Sequence, residues 1–278
     1  MNPGTLYLVA TPIGNLEDLT YRARRILAEV NLIACEDTRH TRRLLAHYGI
    51  ATPVVSFHEH NEAARTAELV QRLRRGQHIA LVSDAGTPAI SDPGYRLIRE
   101  VTSAGLPLVP IPGPSAALAA LTASGLPTDR FVFLGFLPRR SGERRRALQA
   151  VAALPWTLVL FEAPHRIIAV LQDAAVVLGN RRVALARELT KKFEEIFRGT
   201  VAEALVHLRE RLPQGEFTIV VEGASETKAE GKADAAERMR ALLDAGVPPT
   251  AAVQGVMRSA GLGRREAYEL MLRMRGKR

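Results

Sequence analysis

Five short apolar runs, Thr5–Ala10, Leu32–Cys35, Val54–Phe57, Ile79–Val82 and Leu108–Ile111, alternate with helical stretches at Leu19–Val30, Thr41–Tyr48, Asn61–Arg75 and Tyr95–Ala104. This repeated strand–helix unit predicts a mostly parallel sheet covered by helices on both faces. The strand at Ile79–Val82 runs straight into a polar turn, so that Leu81–Gly94 reads LVSDAGTPAISDPG. Pro88 and Pro93 fix φ and remove two N–H donors, while Gly86 and Gly94 permit close backbone approach. Asp84 and Asp92 place carboxylates beside that exposed backbone. A chain reversal needs far fewer such residues. In open α/β sheets ligands sit where strands end in loops of this kind, and the stretch reads as a ligand loop.

The pattern changes after Ser115–Ser124, an alanine-rich helix ended by Gly125. Strands are expected at Phe131–Phe136, Thr157–Glu162, Val183–Glu188, Ile196–Thr200 and Thr218–Glu222, with helices at Gly142–Ala153, Arg166–Leu178 and Val201–Glu210. Consecutive strands around residues 183–200 imply antiparallel pairing and a second, α+β domain. Ala224–Asp234 (ASETKAEGKAD) lacks large apolar residues and reads as a linker. Beyond it, helices at Ala235–Ala245, Thr250–Ala260 and Arg264–Arg275 resemble a helix-turn-helix module, with Asn61 and Thr250 as candidate N-caps. The expected domains are therefore 1–113, 114–224 and 235–278, with 225–234 between the last two.

With 278 residues, 47% of them hydrophobic, the chain has material for two cores. Its single cysteine, Cys35, lies in an apolar run and excludes an intrachain disulfide. No basic-then-apolar leader precedes the first strand, and the uncharged stretch Val101–Thr128 is broken by prolines, so a cytoplasmic protein without membrane spans is expected. The net charge of +9 draws the chain towards polyanions. Arginines cluster at Arg139, Arg140, Arg144, Arg145 and Arg146, and again, with Lys277, at Arg264, Arg265, Arg273, Arg275 and Arg278. The planar guanidinium suits phosphate, and the two clusters together lean towards nucleic acid.

Other strand ends share the polar character of the Asp84–Gly94 loop. TPIGNLEDLT follows the first strand, EDTRHT the second and PIPGPSA the fifth, while FEAPHR and RELTKKFE follow strands of the second half. The first loop has only Gly14, so the GxGxxG fingerprint is absent, as are a P-loop and a GxSxG elbow. His40, His58, His60 and His165 show no metal-ligand spacing, and no metal is expected.

Taken in order and spacing, TPIGNLEDLT, EDTRHT, SDAGTPAISDPG, IPGPSA, GFLPRR, FEAPHR and RELTKKFEE closely resemble the tetrapyrrole (corrin/porphyrin) methylase superfamily, and within it the members that modify ribosomal RNA. The resemblance covers residues 4–224, and the tail is similar to a C-terminal helix-turn-helix domain. It implies a two-domain α/β fold with a small C-terminal helical domain, S-adenosylmethionine in an interdomain cleft, and a homodimer. The implied reaction is methylation of a cytidine ribose 2′-hydroxyl in the decoding region of 16S rRNA, within the small ribosomal subunit. The superfamily's cofactor contacts fall at Asp84, Gly86 and Thr87, at Ser115 and Ala116, and at Pro12 and Gly14 of the first loop. That loop departs from the glycine-rich loop of tetrapyrrole-modifying members, which with the basic tail counts against the alternative of a tetrapyrrole substrate. A non-enzymatic nucleic-acid-binding ribosome factor would explain the charge but leave the polar strand-end loops without purpose.

A ribose hydroxyl is weakly acidic and benefits from a general base. From their place in polar strand-end loops, Asp37, Glu162 and His165 are candidates for it. Arg39, Arg166 and Lys191 are candidates for binding phosphate or orienting the ribose, joined by Arg139, Arg140, Arg264 and Arg265 from the clusters.

Overall fold

The computed structural model describes residues 2–210, 213–225, 232–260 and 262–275. The chain forms two compact units, Met1–Ala116 and Ala117–Arg278. In the first, strands β1 (Leu6–Val9), β2 (Leu32–Cys35), β3 (Val54–Ser56), β4 (Ile79–Val82) and β5 (Leu108–Ile111) alternate with α1 (Tyr21–Glu29), α2 (Thr38–His47), α3 (Glu62–Arg74) and α4 (Tyr95–Ser103). The five strands are all parallel, in the order β3-β2-β4-β1-β5. The central runs LIAC and IALV are buried throughout, as strands covered on both faces must be. One core packs Ala23, Ile26, Leu27 and Leu45 of α1 and α2 against Val9, Ile33 and Val82. The opposite core packs Leu69, Leu73, Leu97 and Val101 of α3 and α4 against Leu6, Ile79 and Leu81.

The order of the strands locates the site. The chain steps outward from β2 to β3, returns to insert β4 beside β1, and then crosses β1 to reach β5. The direction of winding therefore reverses between β1 and β4. In sheets of this type the loops at the carboxyl ends of the strands at such a switch point part to form a crevice. The polar loops that follow β1 and β4 belong to that place.

The second unit holds α5 (Ala116–Ala123, which begins on the last residue of the first), β6 (Phe131–Phe136), α6 (Ser141–Val151), β7 (Thr157–Glu162), α7 (Ile167–Leu178), β8 (Arg182–Arg187), β9 (Glu195–Thr200), α8 (Val201–Glu210) and β10 (Phe217–Val221). Its sheet runs β6-β7-β10-β8-β9, parallel only between β6 and β7. Helices α9 (Lys232–Asp244), α10 (Pro249–Ala260) and α11 (Arg264–Arg275) complete the chain. They share this unit's core: Met239, Leu242, Ala252, Val256, Ala267 and Met271 are buried in one cluster with Val170, Leu171 and Leu205. The helical end thus extends the second core, where the sequence suggested a separate module. Of the expected linker, residues 226–231 lie outside the described residues, as do Lys277 and Arg278 of the basic tail, and Lys232 already begins α9.

Three local readings change. Helix α2 begins at Thr38 because Asp37 caps it, its carboxylate accepting from Arg39 N. Asn61 holds the N-cap position of α3, but its side chain turns back to accept from His58 N at 2.9 Å and donate to Ser56 O at 3.2 Å. Helix α10 starts at Pro249, with the Pro248 carbonyl accepting from Ala251 N and Ala252 N, so Thr250 lies inside it. No helix among the described residues is long and apolar enough to cross a membrane.

The arginine cluster at 139–146 divides into buried and exposed members. Arg144 is 5% exposed and places Nε 2.7 Å from Asp173, itself 3% exposed. Asp173 also takes Arg145 Nε at 2.5 Å and the Ser141 hydroxyl at 3.0 Å, which staples α6 to α7. Removing one member of a buried ion pair leaves the other charge uncompensated. Asp173→Ala is therefore expected to lower unfolding stability by about 3–5 kcal/mol, measured by urea denaturation. A loss within experimental error would mean that this staple is not holding the second core.

Candidate functional site

The loops at the carboxyl ends of β1, β2, β4 and β5 are sewn to one another. Thr11 and Gly86 form a two-bond backbone bridge, N–H to O at 2.9 and 3.0 Å, and the Thr11 hydroxyl donates to Ser83 O at 3.1 Å. Asp84 Oδ1 accepts from Asp37 N at 3.0 Å, tying the β4 loop to the β2 loop. The Thr87 hydroxyl donates to Pro114 O at 3.4 Å, tying it to the β5 loop. Gly86 sits at φ +81°, open to glycine and costly for other residues, and is buried in the bridge beneath Ile13. Further along, Ala89 and Ser91 adopt φ of 67° and 64°, a left-handed geometry unfavourable for residues with a Cβ. Backbone strain of this kind gathers at ligand-binding segments.

Three carboxylates and a histidine converge where β2, β3 and β4 end. Burial, reinforced by the nearby charges of Glu36 and Asp84, pushes the Asp92 carboxyl up to about 6. Burial and then Asp84 raise Glu36 as well, partly offset by His58. His58 takes the amide of Asn61 at 3.2 Å from Nε2, while its buried Nδ1 has no partner among the described residues. Among those residues no three His, Cys, Asp or Glu side chains are arranged to hold a metal ion. The cluster forms an acidic floor at the strand ends of the first unit.

Asp37 behaves differently. Arg39 binds both of its oxygens, Nε to Oδ1 at 3.2 Å and a terminal nitrogen to Oδ2 at 2.8 Å. These bonds and that from Arg39 N hold the Asp37 carboxyl well below the usual carboxylate range. Pro12 is buried and Gly14 exposed in the first loop, while Ser115 and Ala116 lead into α5. The sequence-predicted residues Pro12, Gly14, Asp37, Arg39, Asp84, Gly86, Thr87, Ser115 and Ala116 thus all belong to the first unit, on four interlocked loops and the helix starts that follow them.

A second group stands on the other unit. The Glu162 side chain is fully buried at the end of β7, where Oε1 accepts from Ala163 N at 2.9 Å and faces Arg166 Nε at 3.2 Å. Arg166 also donates to Leu137 O at 2.6 Å, so both residues brace the loops after β6 and β7. His165 between them is exposed. Lys191 is spent on Glu188 at 2.8 Å and Glu216 at 3.2 Å. Arg139 and Arg140 are exposed, Arg140 near Glu143 at 3.5 Å, and on α11 Arg264 is exposed and Arg265 reaches Glu269 at 3.1 Å. Asp92 is the residue missed as a site member. The only signal for it in the sequence was its place in the same polar turn as Asp84.

A parallel sheet with a switch point between β1 and β4, in a chain that also carries a mixed sheet, places this chain in a defined class. Residues 5–205 match the family model of the tetrapyrrole (corrin/porphyrin) methylases, and the chain belongs to that family of methyltransferases. Ribosomal RNA small subunit methyltransferase I of Halalkalibacterium halodurans is 54% identical over 223 residues, which cover 80% of this chain and 77% of that protein. The protein of the same name from Synechocystis sp. is 46% identical over 98% of each chain. The crystal structure of uroporphyrin-III-C-methyltransferase from Thermus thermophilus, 26% identical, superposes with a TM-score of 0.54 over 78% of this chain and 94% of that one.

The electronegative floor makes a stability prediction with a definite sign. The folded-state value of Asp92 lies above the ordinary 3.8, so folding favours its protonated form. The stability this contributes is present at acid pH and is lost as pH rises from about 4 through about 6. Asp92→Asn should therefore melt above wild type by a margin that widens from about pH 4 to about pH 7. Melting curves that run parallel across this range would show that Asp92 is not buried against like charge.

Proposed function

We propose that this protein transfers the methyl group of S-adenosylmethionine to the 2′-hydroxyl of a cytidine ribose in the decoding region of 16S ribosomal RNA. In this reading it acts in the cytoplasm, as a homodimer, on the small ribosomal subunit. The observation that carries the proposal is the near-full-length likeness to proteins named ribosomal RNA small subunit methyltransferase I, 46% identical over 98% of both chains in one case.

S-adenosylmethionine supplies, when bound, a methyl group on a cationic sulfonium. The strand-end site of the first unit fits a ligand of that charge: Glu36, Asp84 and Asp92 crowd together, and burial followed by mutual repulsion makes Glu36 and Asp92 resist ionisation. Asp84, Gly86 and Thr87 would hold the donor, with Pro12, Gly14, Ser115 and Ala116 on the adjoining loops. Four loops cross-linked by hydrogen bonds form a rigid seat. Rigidity is what an in-line displacement needs, because much of its acceleration comes from holding the acceptor oxygen in line with the methyl carbon.

The hydroxyl must also lose its proton as the new carbon–oxygen bond forms. Asp37 is a weak acceptor because Arg39 and the start of α2 stabilise its anion, and Glu162 is closed in by Arg166. These two take positioning roles, as do Arg166 and Lys191. Exposed His165 is left as the candidate acceptor, while Asp92 belongs with the acidic groups that would face the sulfonium. Arg39, Arg139, Arg140, Arg264 and Arg265 are left to meet RNA phosphates.

Incubation with methyl-labelled S-adenosylmethionine and unmodified small subunits, followed by nucleoside mass spectrometry, tests the reading. Labelled 2′-O-methylcytidine is expected. Label on a base, or methylation of a tetrapyrrole in place of RNA, would contradict it. In the same assay His165→Ala is expected to lower turnover by about 10²-fold or more. Turnover equal to wild type would remove His165 from the proton transfer.

A further inference from the structure

The strongest unexplained surface lies on the outward face of α1 and α2. Both helices bury one stripe against the first sheet, Ala23, Ile26 and Leu27 from α1 and Thr41, Leu44 and Leu45 from α2. The opposite stripes repeat at i, i+3 and i+4: Tyr21, Arg24 and Arg25 on α1, and Arg39, Arg42 and Arg43 on α2. With Arg22, six arginines stand against two carboxylates, Glu29 and the capping Asp37. Both carboxylates are already taken, Glu29 by Arg25 at 2.7 Å and Asp37 by Arg39 at 2.8 Å. Arg22, Arg24, Arg42 and Arg43 have no ion-pair partner among the described residues. Arg24 lies over the Tyr48 ring, 5.6 Å from its centroid, and Tyr48 is anchored through its hydroxyl to Leu16 O, so the two helices are bridged. Tyr21 projects at the start of α1 with 93% of its surface exposed.

From this placement we infer that the α1–α2 face is a docking surface for an unpaired strand of RNA, its arginines on successive phosphates and Tyr21 stacked on a base. The inference rests on the RNA reading above and adds to it the surface that grips the substrate. Uncompensated arginines on two rigid helices are complementary in charge to a phosphodiester chain, and the guanidinium fork matches phosphate oxygens. A bare aromatic ring beside them is the other element that single-stranded nucleic acid uses, because every base has a face to stack. The face is tied to the candidate site at one point, where Asp37, which caps α2, donates its backbone N–H to Asp84.

The test is binding of a labelled single-stranded RNA with the decoding-region sequence, followed across a potassium chloride series. Losing two phosphate contacts in the double variant Arg42→Ala/Arg43→Ala should make the slope of log affinity against log salt shallower by about 1.4. Tyr21→Ala should weaken binding about 5- to 150-fold, and Tyr21→Phe should retain it. Melting temperature and S-adenosylhomocysteine affinity should not move in any of these variants, because the side chains are exposed. Wild-type slope and affinity in all variants, with wild type itself binding RNA, would overturn the inference alone. Failure of wild type to bind or methylate RNA would overturn the substrate reading and this surface with it. A variant-induced change of molecular mass in light scattering would instead make the face an interface between copies and overturn the docking role.

Discussion

The backbone bridge between Thr11 and Gly86 is the constraint on which the rest of the first unit depends. It closes the loops after two adjacent strands, β1 and β4, over the point where the sheet reverses its winding. Asp84 to Asp37 N and Thr87 to Pro114 O then carry the same restraint outward to the loops after β2 and β5. Without the bridge the Asp84–Gly94 segment would be a long polar loop free to sample many conformations. With it, Ala89 and Ser91 are held in a left-handed backbone that an isolated chain would leave, and Asp92 is carried beside Glu36 and Asp84.

The first unit separates two fields of opposite sign. Acidic groups gather at the strand ends, partly buried, where burial and mutual repulsion raise Asp92 and Glu36. Basic groups stand on the outward stripes of α1 and α2, in solvent. A methyltransferase acting on RNA must accept a cationic donor and a polyanionic acceptor, and one unit offers both without the two fields cancelling. Asp37 lies at the border. Clamped by Arg39 and capping α2, it joins the acidic floor to the basic face through a single residue.

Much of the fold was legible because strand and helix types differ so clearly along the chain. β2, β4, β5, β6, β7 and α8 fall where the apolar runs end, and the first sheet is parallel as the alternation required. Motif resemblance identified the loops that meet at the switch point. What escaped was whatever depends on partners distant in sequence. Arg144 and Arg145 read as surface cations because Asp173 lies on another helix, and Lys191 read as a phosphate ligand because Glu216 follows much later. The C-terminal helices read as a free module because their apolar residues do not name the core they enter. Asp92 escaped for a further reason: its basicity comes from burial beside Glu36, and neither burial nor proximity is written in the local motif. The basic face of α1 and α2 escaped because its arginines are split by a strand, so no single run of charge announces it.

The proposed seat of the cationic methyl donor is the acidic floor at the strand ends of the first unit. Calorimetric titration of S-adenosylmethionine into the protein at a series of pH values probes that seat. Affinity should rise as pH climbs through about 6, where Asp92 ionises, with protons released on binding, and Asp92→Asn should abolish that rise. Affinity independent of pH in the wild-type protein, with no proton release, would place the donor elsewhere.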